Sequence, residues 1–547
     1  MDYKPRKTFQ PSPEQSEYFR WTRVGKGNAI LIAVAGAGKS TTLIQGLREQ
    51  DGNIVLAAYN KNACEDLKQK AEAARVDRQG VRIMTKHGQG WAAWRQLAKS
   101  VVVKDSKVKE LIDTMIAEQN GFQRVMLYQS FLSKLVSLAK NYLIGVTRPN
   151  EPQEWMKLVQ HFGLDEELPE NVSPLQAIED ARLLFQRSHE TCMDVIDFDD
   201  MLYAPLAYNA RFFRNDWVID DEAQDTNPAR LELSNRTLAR YGRYVAVGDP
   251  KQAIYGFSGA MGDSMDQIRK RFKCRDLTLT VSYRCPQKVV IYAQQWVPYI
   301  KAHATAPEGI VRSINYSAAE ITCTGCDGEG HHMIQGEFPV PCRVCKGKKK
   351  QSALPWFLQD RVAFSDAILC RKTAPLVRTA HAMLRANVPC KVEGRDIGKS
   401  IIQLSKRWRV KTLEALEDRL SKHLIAEVQK AKKDKSERRA MDVADRVDTL
   451  RVFIERARAR GERTIDGIEQ DIMRLFADDV KGVTTLSTGH KAKGREWPRV
   501  FWIQVAPLDP SRMQPWEAEQ EQNILYVIAT RAQAELVFVP EALLDSK

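Results

Sequence analysis

The chain has 547 residues, 43% hydrophobic and 28% charged, with a formal net charge of +14. A single hydrophobic core seldom grows past about 250–300 residues, so several domains are expected. No run approaches the roughly 18 apolar residues of a membrane span, and the Met1–Lys7 start has no apolar signal core; the chain reads as cytoplasmic, with no membrane partner and a surface suited to a polyanion such as nucleic acid.

In chain order, the first strand-length apolar run is Ala29–Val34, followed by the small-residue loop Ala35-Gly36-Ala37-Gly38-Lys39-Ser40-Thr41 that opens a helix. In such a loop successive backbone N–H groups converge on phosphate oxygens, a Lys neutralises charge and a Ser or Thr hydroxyl holds Mg²⁺. Lys39 and Ser40 stand where that chemistry needs them, although Ala33 occupies a position that the strict pattern gives to Gly. Strand runs follow at Ile54–Tyr59 and Val81–Met84, then helical periodicity from about 91 to 195. The apolar strand Trp217–Ile219 ends in Asp220, Asp221 and Glu222, carboxylates able to hold a metal and orient a water; together with the loop it describes an NTPase. Further strands are expected at Tyr244–Val247, Leu277–Val281, Ala367–Cys370, Val483–Leu486, Val500–Ile503 and Leu536–Val539, with a strand near 311 and a charged helical stretch over 401–480. Strands alternating with helices in two groups imply an α/β fold with two parallel-sheet cores, the second group beginning beyond residue 275.

Six of the ten cysteines are scattered singly, as reduced thiols usually are, whereas Cys323–Cys326 and Cys342–Cys345 form two C-x₂-C pairs. Two such knuckles close a tetrahedral thiolate site, and the polar, Gly-rich sequence between them is too poor to build its own core. A structural Zn²⁺ is therefore expected. His331 and His332 are read as exposed loop residues, since four thiolates already fill the site.

The order of motifs resembles the superfamily-one DNA helicases of the UvrD/Rep/PcrA type. The likeness rests on Pro13-Glu-Gln15, the phosphate loop, Val55–Lys61, Met84–Gly88, Asp197–Met201, Asp221–Asp225, Gly248–Ala260, Ser282–Arg284, Ile368–Arg371, Thr488–Glu496 and Leu525–Ala532. It implies two RecA-like domains with helical insertions: core one at 1–90 and 196–275 with a 1B-like insertion at 91–195, and core two at 276–400 and 481–547 with a zinc knuckle at 320–350 and a reduced 2B-like insertion at 401–480.

Residue roles follow from the same likeness. Asp221 and Ser40 hold Mg²⁺, Glu222 is the general base and Gln252 senses the γ-phosphate. Arg284 and Arg531 are the cations that the second core supplies to the transferred phosphoryl group. Gln15 reads adenine, Tyr283 stacks on it and Glu496 meets the ribose. Tyr255 and Phe257 are the base-stacking pair, with Tyr59, Thr85, His87, Thr488 and His490 as further DNA contacts. Three features depart from the pattern: Ser258 in place of Arg, the short 401–480 region, and the zinc knuckle with its Lys346–Lys350 tail, which offers a protein or nucleic-acid contact. Asp220 is also extra to the pattern and reads as a strand-end surface carboxylate. The expected function is an ATP-dependent single-stranded DNA translocase and helicase, 3′ to 5′, acting at duplex junctions. An ATP-gated DNA-binding or partner-loading module, or an RNA-directed motor, is the alternative.

Overall fold

The computed structural model describes residues 9–118, 122–169, 171–256, 259–314, 320–322, 329, 331–334, 338–341, 350–352, 355–433, 437–465, 467–476, 482–506, 509 and 513–544. The chain divides into two units, Met1–Tyr283 with Tyr299–Lys301 and Pro515–Asn523, and Arg284–Pro298 with Ala302–Gln514 and Ile524–Lys547.

The first unit is built on a six-stranded sheet whose spatial order is Val81–Thr85, Ile54–Ala58, Asn215–Asp220, Leu238–Gly248, Ala29–Ala33, Arg275–Leu279. Every neighbouring pair is parallel. Parallel strands covered on both faces read as unbroken apolar runs, and Ala-Ile-Leu-Ile-Ala at 29–33 is such a run. The strand expected at Leu277–Val281 proves to be Arg275–Leu279 and belongs to this sheet, not to the second. It flanks Ala29–Ala33, with Leu31 opposite Leu277, and so gives the strand before the phosphate loop a neighbour on each side. Helix Pro13–Val24 packs against the sheet and begins with a reciprocal cap. The Ser12 hydroxyl accepts from the Gln15 N–H at 3.1 Å, Gln15 Oε1 accepts from the Ser12 N–H at 3.0 Å, and Pro13 sits where its missing donor is harmless.

Between the third and fourth strands in sequence lies a helical stretch. It includes Lys107–Ala117, Gln129–Asn141, Pro152–His161 and Pro174–Glu190, and runs into Phe198–Ala207. Its core holds Phe131, Leu135, Trp155, Leu184 and Tyr203. Two short strands bracket it, Val102–Val103 and Val195–Ile196, paired in parallel; two residues each are too few for a sequence pattern to reveal. The core also buries four charges. Lys140 Nζ lies 2.7 Å from both Asp197 and Asp200, and Lys107 Nζ lies 2.6 Å from Asp200. Two cations against two carboxylates leave the cluster neutral, the condition under which such groups tolerate burial.

The second unit holds another parallel sheet, ordered Ile310–Ser313, Ala532–Pro540, Trp497–Gln504, Ala367–Cys370, Thr484–Thr488, Cys390–Val392. Helices Leu413–Lys433 and Glu437–Ala459 pack on each other and contribute Leu416, Leu420, Val447, Leu450 and Phe453 to its core. Two antiparallel pairs lie between 320 and 352: Glu320–Thr322 with Lys350–Ser352, and His331–Ile334 with Phe338–Pro341. His331 and His332 thus sit on a strand rather than in a loop. Cys323, Cys326, Cys342, Cys345 and the Lys346–Lys349 part of the tail lie outside the described residues, as do Phe257 and Ser258. Among the described residues no cluster of His, Cys, Asp and Glu forms a metal site. No helix there is long and apolar enough to cross a membrane.

Candidate functional site

Because every strand of the first sheet runs the same way, its carboxyl ends share one edge, where α/β folds place ligands. The candidate residues follow those ends in spatial order. Thr85–His87 come after the first strand, Tyr59 after the second, Asp221 and Glu222 after the third, Asp249 and Gln252 after the fourth, and the Val34–Gly38 loop after the fifth.

Gly36 and Gly38 have φ of +73° and +75°, a conformation that costs a side-chain-bearing residue about 1–2 kcal/mol. Helix Lys39–Gly46 starts directly from Gly38 with no side-chain cap, so its first-turn N–H groups face the loop as anion donors. Gln15 is buried beside this loop, its Nε2 donating to Thr42 Oγ1 at 2.9 Å. Tyr283 is also fixed to it, through a backbone N–H that donates to the Gly36 carbonyl at 2.9 Å, while its ring is 46% exposed.

Lys39 Nζ lies 3.1 Å from Glu222 Oε1. Burial works against the Lys39 charge, but the carboxylates of Glu222, Asp249 and Asp221 outweigh it and hold its pKa above the ordinary lysine value. Asp221 is pushed up to about 7, first by burial and then by the negative charge of Glu222. Burial likewise raises Asp249. One lysine facing three carboxylates, Asp249 buried and Asp221 and Glu222 half-buried, is a donor set that a divalent cation would relieve, so the residues fit Mg²⁺.

Glu222 has φ +51°, rare for a residue with a side chain. Its carboxylate is gripped on the far side by Gln224, whose Nε2 donates to Oε2. Gln224 Oε1 in turn accepts the Asp249 N–H at 3.1 Å, and Asp249 Oδ2 accepts Gln252 Nε2 at 2.7 Å. An unbroken run of polar contacts therefore joins Lys39, Glu222, Gln224, Asp249 and Gln252. Gly248 permits it: a Cβ there would lie 2.3 Å from Gln224 Oε1.

Asp220 corrects the sequence reading. It is 3% exposed, not a surface carboxylate. Its Oδ1 lies 2.5 Å from Lys86 Nζ, and its Oδ2 accepts from the Ser234 and Tyr244 hydroxyls at 2.6 and 2.8 Å. Lys86 stands between Thr85 and His87, so a buried ion pair ties the candidate strand-contacting segment to the residue preceding Asp221.

Tyr59 and Tyr255 stack, with centroids 5.7 Å apart and planes within 10°. The Arg230 guanidinium sits 4.7 Å from the Tyr59 ring centre. His87 meets the ring of Phe198 edge-on at 6.1 Å, and that ring is exposed. Thr85 caps the following helix by accepting the Gly88 N–H at 3.0 Å. Sequence reasoning assigned no role to Gln224, Asp249, Lys86, Phe198 or Arg230. The first four lie inside the motifs Asp221–Asp225, Gly248–Ala260, Met84–Gly88 and Asp197–Met201, which carried a signal for the segment without a role for the residue; Arg230 lies outside them.

In the second unit the Arg284 Nε donates to Glu496, whose other oxygen accepts from Gln533 at 3.0 Å. Arg531 is buried, and its guanidinium donates to the Val527 and Arg495 carbonyls at 2.9 and 3.2 Å. Its own carbonyl accepts the Trp497 N–H, which places it next to Glu496. Thr488 ends its strand, with the Gly489 N–H bonded to the Cys370 carbonyl and His490 following.

The family described as the UvrD/REP helicase N-terminal domain matches residues 13–273, and that described as the UvrD-like helicase C-terminal domain matches 484–539. Similar proteins include a probable DNA helicase II homolog of Mycoplasma pneumoniae, 24% identical over 52% of this chain and 42% of that protein. The ATP-dependent DNA helicase Rep of Escherichia coli is 23% identical over 48% of this chain and 40% of its own length. F-box DNA helicase protein 1 of Schizosaccharomyces pombe is 23% identical over 92% of this chain and 54% of its own length. The chain thus spans roughly half or less of these relatives. With both family domains in order, and the motifs of each gathered at the ends of parallel strands, the chain belongs to the UvrD/REP helicase family.

Proposed function

We propose that this protein is an ATP-dependent translocase and helicase on single-stranded DNA that moves 3′ to 5′ and opens duplex junctions. Backbone N–H groups over Ala35–Thr41 and the Lys39 ammonium hold the phosphates, Ser40 and Asp221 hold Mg²⁺, and Glu222 takes the proton of the attacking water. Mg²⁺, when bound, neutralises charge on the phosphate oxygens. Gln252 registers the γ-phosphate, while Arg284 and Arg531 supply the cations that a charge-spread transition state needs. Gln15, Tyr283 and Glu496 hold the adenosine. Tyr59, Thr85, His87, Tyr255, Phe257, Thr488 and His490 line the strand path, and Phe198 adds a ring to it.

The observation that carries this reading is the polar run from Lys39 to Gln252, which ends three residues before Tyr255 in the chain. A change at the hydrolytic carboxylate therefore has a short route to an aromatic platform, by hydrogen bonds as far as Gln252 and along the chain from there. In the same reading Cys323, Cys326, Cys342 and Cys345 bind a structural Zn²⁺. The pairing of Thr322 with Lys350 supports it by setting the segment's two ends side by side. This knuckle, with its Lys346–Lys350 tail, is the site for a protein partner or a nucleic-acid contact.

Displacement of streptavidin from either end of biotinylated DNA, beside a tailed-duplex unwinding assay, tests activity and polarity together. Loss of streptavidin from the 5′ end only is the expected result. ATP hydrolysis without displacement would instead identify an ATP-gated binding or loading module, and displacement on RNA alone an RNA-directed motor.

A further inference from the structure

Arg230 is the third residue of helix Pro228–Thr237, which starts from Asn227 just beyond the acidic Asp221–Asp225 segment. Its backbone is fully used: the N–H donates to Asn227 Oδ1 at 2.9 Å and the carbonyl accepts the Ser234 hydroxyl at 3.1 Å. Its side chain engages Tyr59, but among the described residues no carboxylate lies within ion-pair distance of it, and Nε is buried with no hydrogen-bond partner. A half-buried arginine without a counterion is unusual, because desolvating a charge is costly unless something pairs with it.

The guanidinium is held over Tyr59, itself stacked on Tyr255, and its charge reaches His87 and Lys86. It therefore stands amid side chains from the ends of three strands. A planar fork of donors matches a phosphate group, and aromatic faces match a nucleobase.

We propose that Arg230 is a strand-binding residue whose guanidinium holds a phosphodiester of single-stranded DNA while the adjoining base rests on the Tyr59–Tyr255 pair. The assignment rests on the single-stranded DNA reading above and adds to it a residue that no family motif supplied.

The salt dependence of binding tests it, because each phosphate neutralised on a single strand adds about 0.7 to the slope of log K against log salt. Fluorescence anisotropy of labelled oligo(dT) is measured across a salt series for the full chain, Arg230→Gln and Arg230→Lys. The Gln variant should lose about 0.7 from the slope and several-fold in affinity, whereas Lys, which keeps the charge, should retain the slope. An affinity loss in Arg230→Gln with an unaltered slope would overturn the proposal, since that is what lost packing on Tyr59 produces. An unchanged Arg230→Gln would overturn it equally. Failure of the unsubstituted protein to bind oligo(dT) is a separate result that removes the parent reading and this one with it.

Discussion

Lys39 Nζ and Glu222 Oε1 share an ion pair of 3.1 Å, so the proposed phosphate-binding lysine and the candidate base hold each other in place. The pair is held on both sides: Lys39 by its place at the helix start, Glu222 by Gln224 and a left-handed backbone. A carboxylate positioned this firmly is suited to general-base work, which contributes about 10²–10⁴-fold. Glu222→Gln should lower kcat for ATP hydrolysis by that range while leaving nucleotide binding intact, and Lys39→Ala should remove both. Single-turnover hydrolysis beside fluorescent-nucleotide titration separates the two; full activity in either variant would refute the site.

Gln224 joins Glu222 to the Asp249 backbone, and through it to Gln252. Losing one such hydrogen bond costs about 1 kcal/mol, close to a fivefold effect. Gln224→Ala should therefore reduce DNA-stimulated hydrolysis several-fold. Gly248→Ala, by driving a methyl into Gln224 Oε1, should do the same without touching a polar group. If DNA stimulates Gln224→Ala as it does the unsubstituted protein, the run is not a coupling route.

Much of this was legible in the sequence because the chemistry sits where strands end. Ala29–Ala33, Ile54–Ala58 and Asn215–Asp220 announce themselves as apolar runs, and Lys39, Tyr59 and Glu222 follow those runs directly. What stayed hidden were partners distant in sequence. Asp220 reads as exposed until Lys86, Ser234 and Tyr244 are seen around it, and no local pattern brings together residues from two strands and two helices. Arg275–Leu279 was assigned to the wrong sheet for a similar reason, since an apolar run shows that a strand exists but not which strand lies beside it.

The Lys86–Asp220 pair makes a stability prediction. Removing one partner of a buried pair leaves an uncompensated charge and typically costs about 3–5 kcal/mol. Lys86→Met should destabilise by that amount, because the Ser234 and Tyr244 hydroxyls cannot neutralise the carboxylate. The double variant Lys86→Met, Asp220→Leu should recover much of the loss. Urea unfolding of the set checks this, and equal stability of Lys86→Met and the parent would show the pair to be dispensable.

The proposed knuckle predicts a stoichiometric, closed site. Four thiolates at about 2.3 Å from one ion leave no open position. The purified protein should carry one Zn²⁺ per chain by elemental analysis. Cys323→Ser should release it and expose the 320–352 segment to protease, while ATP hydrolysis without DNA continues. Zinc-free protein prepared without chelators, or a disulfide between Cys326 and Cys342, would refute the site.

His87 predicts how the strand path responds to acid. Its pKa is lowered from 6.5 to about 4, first by burial and then by the positive charge of Arg230. With the folded value below the unfolded one, the folded protein binds fewer protons between them. The stability this group contributes is therefore fully present above pH 6.5 and is lost as pH falls through about 4. From pH 6 to 8 the ring stays neutral, so the proposed contact of His87 with DNA should not vary with pH there. Histidine-labelled NMR, assigned with His87→Gln, should place the midpoint near 4. In Arg230→Gln the midpoint should rise but stay below the ordinary histidine value, because burial, the larger cause, remains. A midpoint near 6.5 in the unsubstituted protein would mean that the ring lies open to water and away from Arg230, which would contradict the packing of His87 against Phe198.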